Sequence, residues 1–411
     1  MNISFYISRR LALNAKKTFS GFIIRIAILA VTLSIAIMII GSSITRGYQE
    51  VIQNKFYDCW GHIHVTTFLA DPSNLNNEQT LEYDSSLVRQ MKAVPGIKSI
   101  AAYTIQSAII KTPKEIEGVL LKGVYNHSDD YMLKNYLVEG KGITFNDSSY
   151  SSDILISKNI AGKLGLYTGD YAILYFLSNS ETQPKARKIR IAGIYKTGLE
   201  DYDNVFAICD AALINHINQK SKSSIHGYEV YVSDKKERNR IEKILYEQYA
   251  RPPLQTYLID KRFENVFSWL SMMKMNERII ILIMLIIAVV NMITALLILV
   301  LERTQMVGVL KSLGMQNFQI QEIFIYSSLY ILTIGMFAGT ILGIGLCYLQ
   351  QKYGFLHLDE SIYYVRTVPV FLDTNVILMI NFIAFVVCTL LLLIPSLIVK
   401  TISPTKALTF N

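Results

Sequence analysis

The stretch "VLERTQMVGVLKSLGMQNFQIQEIF", residues 300–324, joins two long uncharged segments of the chain. If this stretch is helical, four of its apolar residues fall at i, i+3, i+4 and i+7 and form one stripe. These residues are Met306, Val309, Leu310 and Leu313. Gly314 follows the stripe where a glycine commonly ends a helix, and Asn317 is a suitable cap for the next helix. The stretch therefore predicts a short amphipathic helix between two membrane-type segments.

The periodicity leaves two interpretations of this short helix open. An amphipathic helix can lie in the headgroup layer of a bilayer with its apolar stripe toward the lipid. It can also insert its apolar residues into a groove of a partner protein. Both interpretations need the same spacing, so the pattern alone does not choose between them.

Four uncharged stretches are long enough to cross a bilayer, which takes about 20 apolar residues. They are Ile26–Thr45, Ile279–Leu301, Ile323–Gln351 and Thr374–Val399. One such stretch could be a buried core helix, but four of them in a chain with only 18 % charged residues indicate a membrane protein. The first stretch is longer than the apolar part of a signal peptide, and no A-x-A cleavage site follows it.

The net charge of +8 has a local origin at the N-terminus. The first 25 residues contain basic side chains and no acidic ones. The basic residues are Arg9, Arg10, Lys16, Lys17 and Arg25. Such a cluster beside a membrane helix is typical of its cytoplasmic flank, and it argues against a nucleic-acid surface.

A cytoplasmic start and four crossings predict the layout of the whole chain. The predicted parts are a cytoplasmic segment 1–25, a first span 26–46, an exported domain 47–272, a second span 273–301, a cytoplasmic link 302–322, a third span 323–351, an exported loop 352–373, a fourth span 374–399 and a cytoplasmic tail 400–411.

The exported domain has the mixed periodicity of an α/β fold. Five segments rich in β-branched and aromatic residues predict strands. They are "IEGVLLKGVY" (116–125), "DILIS" (153–157), "YAILYFL" (171–177), "KIRIAGIY" (188–195) and "YEVYVS" (228–233). A helix is predicted between Ser157 as its N-cap and Gly165 as its stop. The helical pattern of Arg262–Met275 runs into the second span without a strong breaker.

The exported domain shows no recognisable catalytic pattern. His62 and His64 would share one face of a strand, but without nearby ligands they indicate a polar strand face. Glu200, Asp201 and Asp203 indicate a solvated acidic turn. Two cysteines of the domain, Cys59 and Cys209, could pair in an oxidising compartment. The chain contains no Walker A, G-x-S-x-G or H-E-x-x-H motif, so we expect neither an enzyme nor a bound cofactor or metal.

The segment from residue 302 resembles a known signature. "ERTQMVGVLKSLGMQNFQIQEIF" is similar to the E-R-x-x-E-I-G-x-L-K-A-L-G-x(5)-I-x(3)-F pattern of FtsX-like permease domains in ABC transporters. The matching residues are Glu302, Arg303, Gly308, Leu310, Lys311, Leu313 and Gly314. Met306 stands where the family usually has an acidic residue. The C-terminal "PSLIVKTISPTKAL" resembles the close of the same domain, and "ILISKNIAGKLGLYTGD" and "RKIRIAGIYKTGLEDYDN" resemble the MacB-type periplasmic core.

The resemblance implies a fold of four transmembrane α-helices with a large α/β MacB-like periplasmic domain inserted between helices 1 and 2. A stand-alone permease of this length is most similar to the lipoprotein-releasing permeases. These lie in the bacterial inner membrane with both termini in the cytoplasm. They pair as two permease subunits with a separate ATPase dimer, which binds ATP and magnesium. They deliver lipoproteins to a periplasmic carrier that a long hairpin captures, and the matching loop 177–187 is short here.

The resemblance also implies which residues have functional roles. The ATPase-coupling residues would be Glu302, Arg303, Met306, Gly308, Val309, Leu310, Lys311, Leu313 and Gly314. Independently of the signature, we expect the apolar exported ends of the first two spans to line the cavity for the lipid anchor, with Ile40, Ile44, Tyr48, Trp269, Met273 and Ile280 as its walls. Three alternatives stay open: efflux of peptides or antibiotics, regulation of a periplasmic hydrolase, and a membrane-anchored receptor without transport.

Overall fold

The structure is a computed structural model that describes residues 19–67, 80–126, 135–146, 149–176 and 185–396. The first half of the chain contains α1 (Phe19–Trp60), β1 (Ile63–Thr67), β2 (Leu81–Glu82), α2 (Ser85–Lys92), β3 (Ile97–Lys111), β4 (Ile116–Val124), β5 (Leu137–Gly140), β6 (Asp153–Ser157), α3 (Lys158–Leu164), β7 (Tyr171–Phe176), β8 (Lys185–Tyr195), α4 (Glu200–Asp203) and β9 (Phe206–Asp210). The remainder contains α5 (Ala211–Ile217), β10 (Ser224–Ile225), β11 (Gly227–Val232), a 3-10 turn (Lys235–Glu237), α6 (Arg238–Gln248), β12 (Leu254–Leu258), α7 (Ile259–Arg262), α8 (Glu264–Glu302), α9 (Thr304–Ser312), α10 (Asn317–Tyr353), α11 (Glu360–Tyr363) and α12 (Thr374–Ser396).

Several sequence features lie outside the described residues. These are the basic residues before position 19, the loop 177–184 and the tail that follows Ser396. The described chain divides into two compact units. The helical unit falls within Met1–Glu50, Leu270–His357 and Thr367–Asn411, and the sheet unit comprises Val51–Trp269 and Leu358–Arg366.

Within the described ranges, four helices are long and apolar enough to cross a membrane, as predicted: α1, α8, α10 and α12. Three of them are longer than the uncharged runs, with 42 residues in α1, 39 in α8 and 37 in α10. A span needs only about 20 residues. The extra turns come from flanking segments that keep a helical pattern, including the predicted one before the second span, which begins at Glu264.

Glycines bring α10 against α1 in the helical unit. Gly335, Gly339 and Gly343 are spaced by four residues, so they lie on one face of α10, and all are buried. A Cβ on Gly339 would lie 2.6 Å from the carbonyl oxygen of Thr32, and one on Gly335 would lie 2.8 Å from the Cβ of Val31. Small residues at this spacing allow two membrane helices to approach closely. We call this contact the glycine seam.

The segment after α11 adds a second contact to α1. The backbone N–H of Phe371 donates to the carbonyl oxygen of Ser43 at 3.0 Å. A Cβ on Gly47 would lie 2.3 Å from the carbonyl oxygen of Pro369, so only glycine fits there. This segment and α1 are therefore in backbone-to-backbone contact within the helical unit.

The sheet unit is built on a mixed sheet that has ten strands among the described residues. The path of neighbouring strands is β12-β1-β11-β3-β4-β9-β6-β8-β5, and β7 pairs with both β3 and β8. The five predicted strands are confirmed as β4, β6, β7, β8 and β11. The predicted helix after β6 is confirmed as α3, with Ser157 as its N-cap and Gly165 at φ +63° as its C-cap.

Trp60 lies at the centre of a buried polar cluster in the sheet unit. The Nζ of Lys122 and the guanidinium of Arg262 each lie 5.2 Å from the Trp60 ring centroid. Lys122 Nζ also donates to the carbonyl oxygen of Cys59 at 2.7 Å and pairs with Glu229 at 2.8 Å. The Lys122 and Glu229 side chains are only 2 % and 3 % exposed. A buried lysine needs such partners because an unpaired charge in the interior is costly.

The two histidines do not form the polar strand face that the sequence predicts. His64 is fully buried on β1, with Nε2 2.7 Å from the carbonyl oxygen of Trp60. Burial lowers the pKa of His62 to about 3, and the nearby charge of Arg238 lowers this pKa further. The His62 ring stacks on the ring of Tyr57.

Among the described residues, no group of three or more His, Cys, Asp and Glu side chains is arranged to hold a metal ion.

The prediction of a solvated acidic turn is wrong for Asp203, which is buried. Its carboxylate accepts hydrogen bonds from the N–H and hydroxyl of Thr197 and from the N–H of Gly198, at 3.1, 2.7 and 3.0 Å. Burial raises the pKa of Asp203, and these hydrogen bonds oppose the rise. Asp203 therefore holds the turn before α4 in place. Cys59 and Cys209 do not form the disulfide that the sequence left open, and both thiols are buried.

Candidate coupling helix

The predicted amphipathic helix is present as α9, and Gly314 ends it. Gly314 has φ +88°, its N–H donates to the carbonyl of Lys311, and the N–H of Met315 donates to the carbonyl of Leu310. These two bonds form a Schellman motif, which satisfies the last carbonyls of a helix. Leu310 and Met315 both pack against the apolar core of the helical unit, as the motif's usual hydrophobic contact requires.

The start of the next helix differs from the prediction by one residue. The N-cap of α10 is Gln316 rather than Asn317, which is the first residue of the helix. Gln316 and Gln319 form a reciprocal capping box, in which the Gln316 N–H donates to Gln319 Oε1 at 3.1 Å. Two hydrogen bonds at this position outweigh the stronger intrinsic capping preference of asparagine.

The apolar residues of α9 are divided between two faces. Val307 and Gly308 are buried, and Met306 and Leu310 pack partly against the core of the helical unit. In contrast, Val309 is 45 % exposed and Leu313 is 78 % exposed. The predicted single stripe thus divides because Met306 and Leu310 turn toward the unit's own core. The outward apolar face of α9 consists of Val309 and Leu313.

Phe318 is an exposed apolar residue that the sequence reasoning missed. It lies in the first turn of α10 and is 67 % exposed. Its position is out of phase with Ile320, Ile323 and Phe324, which are all buried on the same helix. That mismatch of phase was the available signal. Phe318, Val309 and Leu313 are exposed apolar residues near the link between two spans. We call these three residues the outer face.

Arg303 is the single residue between α8 and α9. It is the N-cap of α9, and its carbonyl oxygen accepts from the N–H of Val307 at 3.0 Å. Its Nε is buried and has no hydrogen-bond partner within the described part of the chain. The other two charged residues of the predicted site differ in exposure, since Glu302 is exposed and Lys311 is half-buried. Lys311 lies in the last turn, where a cation interacts favourably with the helix dipole.

The residues predicted to line a substrate cavity have mixed environments. Tyr48 is buried and Ile280 is 42 % exposed, while the remaining four are half-buried. These four are Ile40, Ile44, Trp269 and Met273. None of the six lines the cavity that α1, α8 and α12 form among the described residues of the helical unit. Their role in substrate binding stays a prediction.

Two family models match this chain. The FtsX-like permease C-terminal model matches residues 278–404, which include all of α9. The MacB-like periplasmic core domain model matches residues 26–243, which is more than half of the 411 residues.

Similar curated proteins align over most of the chain. The lipoprotein-releasing system transmembrane protein LolC of Neisseria meningitidis is 21 % identical over 97 % of this chain and 97 % of its own length. LolE of Haemophilus influenzae is 21 % identical over 84 % of this chain and 82 % of its own. LolC of Buchnera aphidicola from Acyrthosiphon pisum is 25 % identical over 84 % of this chain and 83 % of its own.

The matches agree with the architecture described above. The MacB-like model includes the strands of the sheet from β1 to β11, and the FtsX-like model includes α10 and α12 with the link between α8 and α10. The chain therefore belongs to the FtsX-like permeases of ABC transporters, and it carries a MacB-like periplasmic core domain between its first two membrane helices.

Proposed function

We propose that this chain is a permease subunit that couples ATP hydrolysis by a separate ATPase to the release of lipoproteins from the inner membrane. The observation that carries this proposal is the end-to-end similarity to LolC of Neisseria meningitidis, which covers 97 % of both chains. The similarity includes both the membrane helices and the sheet unit, so it extends beyond the link that permeases of different function share.

In the proposed coupling step, α9 docks on the ATPase through the outer face. The exposed side chains of Val309 and Leu313 can enter a groove of the partner. On the other side of α9, Val307 is fully buried, and at the edge of the outer face Met306 packs against the core of the helical unit. Because close-packed side chains transmit displacement, pressure on the outer face would reach the membrane helices directly.

The proposed assembly has further members that follow from the same relatives. ATP and magnesium would be bound by the ATPase dimer, and a second permease subunit, identical or paralogous, would complete the membrane part. The lipoprotein would enter from the outer leaflet and leave to a periplasmic carrier. Both termini would lie in the cytoplasm and the sheet unit in the periplasm. The uninterrupted helix α8 would then carry movement from the link toward the sheet unit.

Substitution of Leu313 by Asp tests the docking step. Leu313 is the better position than Leu310, because Leu310 also packs against the unit's own core. We expect L313D to reduce the ATPase recovered with the tagged permease by at least tenfold, since a charge would have to be buried in an apolar groove. Phe355→Asp is the matched control, because Phe355 is 53 % exposed and follows the opposite end of α10. Equal ATPase recovery with L313D and F355D would contradict docking through the outer face.

Depletion of the protein tests the substrate. Lipoproteins labelled with radioactive palmitate are followed between inner and outer membranes on a density gradient. We expect the labelled lipoproteins to accumulate in the inner membrane, with recovery by the wild type and by F355D but not by L313D. If lipoproteins reach the outer membrane normally after depletion, lipoprotein release is the wrong function. Accumulation of a peptide or antibiotic instead would favour the efflux alternative.

A further inference from the structure

The helical unit contains a cavity of about 320 Å³ between α1, α8 and α12. Its wall is mainly aliphatic and includes Met38, Ile281 and Ile383, one from each of the three helices. Three basic residues also line it: Arg46, Lys274 and Arg278. The cavity thus combines an apolar interior with a cluster of cationic groups.

The acidic groups near this cluster already have partners. Glu277, which lines the cavity, is 8 % exposed and accepts a hydrogen bond from the hydroxyl of Ser42 at 2.6 Å. Asp373 accepts from Nη1 of Arg46 at 3.1 Å. The Nε of Arg46 is buried and lacks a hydrogen-bond partner among the described residues. A donor in this state loses free energy unless an acceptor reaches it.

Lys274 and Arg278 supply the remaining positive charge. They are spaced by four residues on α8, so they lie on one face of this helix one turn apart. Both are exposed, and within the described ranges neither has an ion-pair partner. The uncharged run of α8 begins at Ile279, directly after Arg278. The two cations therefore lie where a membrane helix passes from the headgroup layer into the hydrocarbon.

A molecule that fits this site has an anionic headgroup and an aliphatic chain. Ligand pockets commonly measure about 300–1,000 Å³, so 320 Å³ suits one chain segment rather than a whole lipid. We propose that the cavity binds one anionic phospholipid, with its phosphate held by Lys274, Arg278 and the Nε of Arg46 and one acyl chain in the aliphatic interior. A phosphate satisfies all three donors, whereas the acyl anchor of a lipoprotein carries no phosphate.

Such a lipid would stabilise the helical unit. It contacts three helices of the folded protein and binds the native state in preference to the unfolded one, so the melting temperature rises with lipid concentration. The site is separate from the outer face of α9. Lipid binding can therefore be measured without an ATPase, and its outcome is independent of the proposed lipoprotein release.

The test measures lipid binding to the full-length protein in detergent by native mass spectrometry and thermal melting. Phosphatidylglycerol and phosphatidylcholine of the same chain length are compared. We expect phosphatidylglycerol to bind more tightly and to raise the melting temperature more. The double variant Lys274→Gln with Arg278→Gln should weaken phosphatidylglycerol binding by roughly 10- to 30-fold, because each basic residue near anionic lipid is worth about 1 kcal/mol. Lys352→Gln, which removes an exposed charge at the end of α10, should leave this binding unchanged.

A second variant tests the acyl chain separately from the charges. Ile383→Trp places a large ring at the cavity wall while the three basic residues stay in place. It should reduce the binding of both lipids without changing the preference for anionic phosphatidylglycerol over zwitterionic phosphatidylcholine. Equal binding of phosphatidylglycerol and phosphatidylcholine to the wild type would overturn the proposal. An unchanged preference in the double variant would do the same. Full competition by millimolar inorganic phosphate would show a simple anion site and contradict a lipid site.

Discussion

The two units stabilise the buried parts of helix α1 by opposite means. In the helical unit, the glycine seam places the backbone of α10 against α1, with no room for a Cβ between Gly339 and the carbonyl of Thr32. In the sheet unit, the last turn of α1 ends at Trp60, which lies beside the buried ion pair of Lys122 and Glu229. One unit uses the smallest residues available, and the other uses large aromatic and charged ones.

The difference follows from the surroundings of each unit, which are lipid for the membrane helices and water for the sheet unit. Helices in a bilayer gain little from burying apolar surface, because lipid is as apolar as the helix, so close approach of backbones provides the attraction. A water-exposed domain gains from burying a ring such as Trp60. It can then include a charged pair if every charged group has partners. Substitutions in each unit should therefore fail for different reasons.

The largest effect is expected for Lys122→Met. This substitution leaves the Glu229 carboxylate buried at 3 % exposure without its cation, and breaking a buried pair costs about 3–5 kcal/mol. We expect a clear loss of thermal stability in the purified protein. Lys163→Met is the control, because the Lys163 side chain in its pair with Glu117 is 49 % exposed and exposed pairs contribute about 0–1 kcal/mol. Similar melting temperatures for the two variants would show that the buried pair adds no stability.

A smaller loss is expected for Gly339→Val in the glycine seam. The new side chain would meet the carbonyl of Thr32 and the Cβ of Ile35, and overpacking of this kind costs about 1–3 kcal/mol. Gly345→Ala is the matched control on the same helix, since a Cβ there meets nothing within 4 Å. Alanine also has the higher helix propensity, so G345A should be neutral or slightly stabilising. Equal melting temperatures for G339V and G345A would contradict close packing of α10 against α1 at the glycine seam.

The smallest effect concerns the dependence of stability on pH. The pKa of His62 in the folded protein is about 3, below the ordinary value of 6.5. Between these values the unfolded chain binds a proton that the folded one does not, so the free energy of unfolding falls as the pH falls below about 6.5. The free energy of unfolding should fall between pH 7.5 and pH 5, with a drop in melting temperature. His62→Phe should reduce this loss of free energy by on the order of 1 kcal/mol and the drop in melting temperature with it. The pKa of His226, lowered by burial to about 4, adds to the same trend in both proteins. An identical pH profile for the wild type and H62F would show that His62 is protonated in the folded state.

Features that depend on neighbouring residues in the sequence were predictable. The four spans follow from runs of uncharged residues, and α9 follows from its apolar spacing and Gly314. The ends of α3 were also visible as Ser157 and Gly165. Each of these signals lies within about one turn of the structure that it specifies, so no knowledge of distant partners is needed.

Features that depend on distant residues were not predictable. Lys122 lies in a segment that reads as a strand, and nothing local shows that its partner Glu229 is 107 residues away. Likewise, Asp203 resembles any exposed acidic residue until Thr197 and Gly198 surround its carboxylate. The division of the α9 stripe has the same cause. Which apolar residues face inward is set by the packing of the other helices, which the periodicity of α9 does not contain.

The contact at Gly47 limits how the first membrane helix can move. The carbonyl of Pro369 occupies the space that a side chain at Gly47 would need. At the glycine seam, the carbonyl of Thr32 occupies the space that a side chain at Gly339 would need. A shift of α1 along its axis by one turn, about 5.4 Å, would place a residue with a side chain against the Pro369 carbonyl and would move the backbone of α1 out of register with the seam glycines. Sliding is therefore blocked at two points that are some 15 residues apart. Movement of α1 together with α10 and the segment at Pro369 would preserve both contacts, whereas sliding of α1 alone would break them.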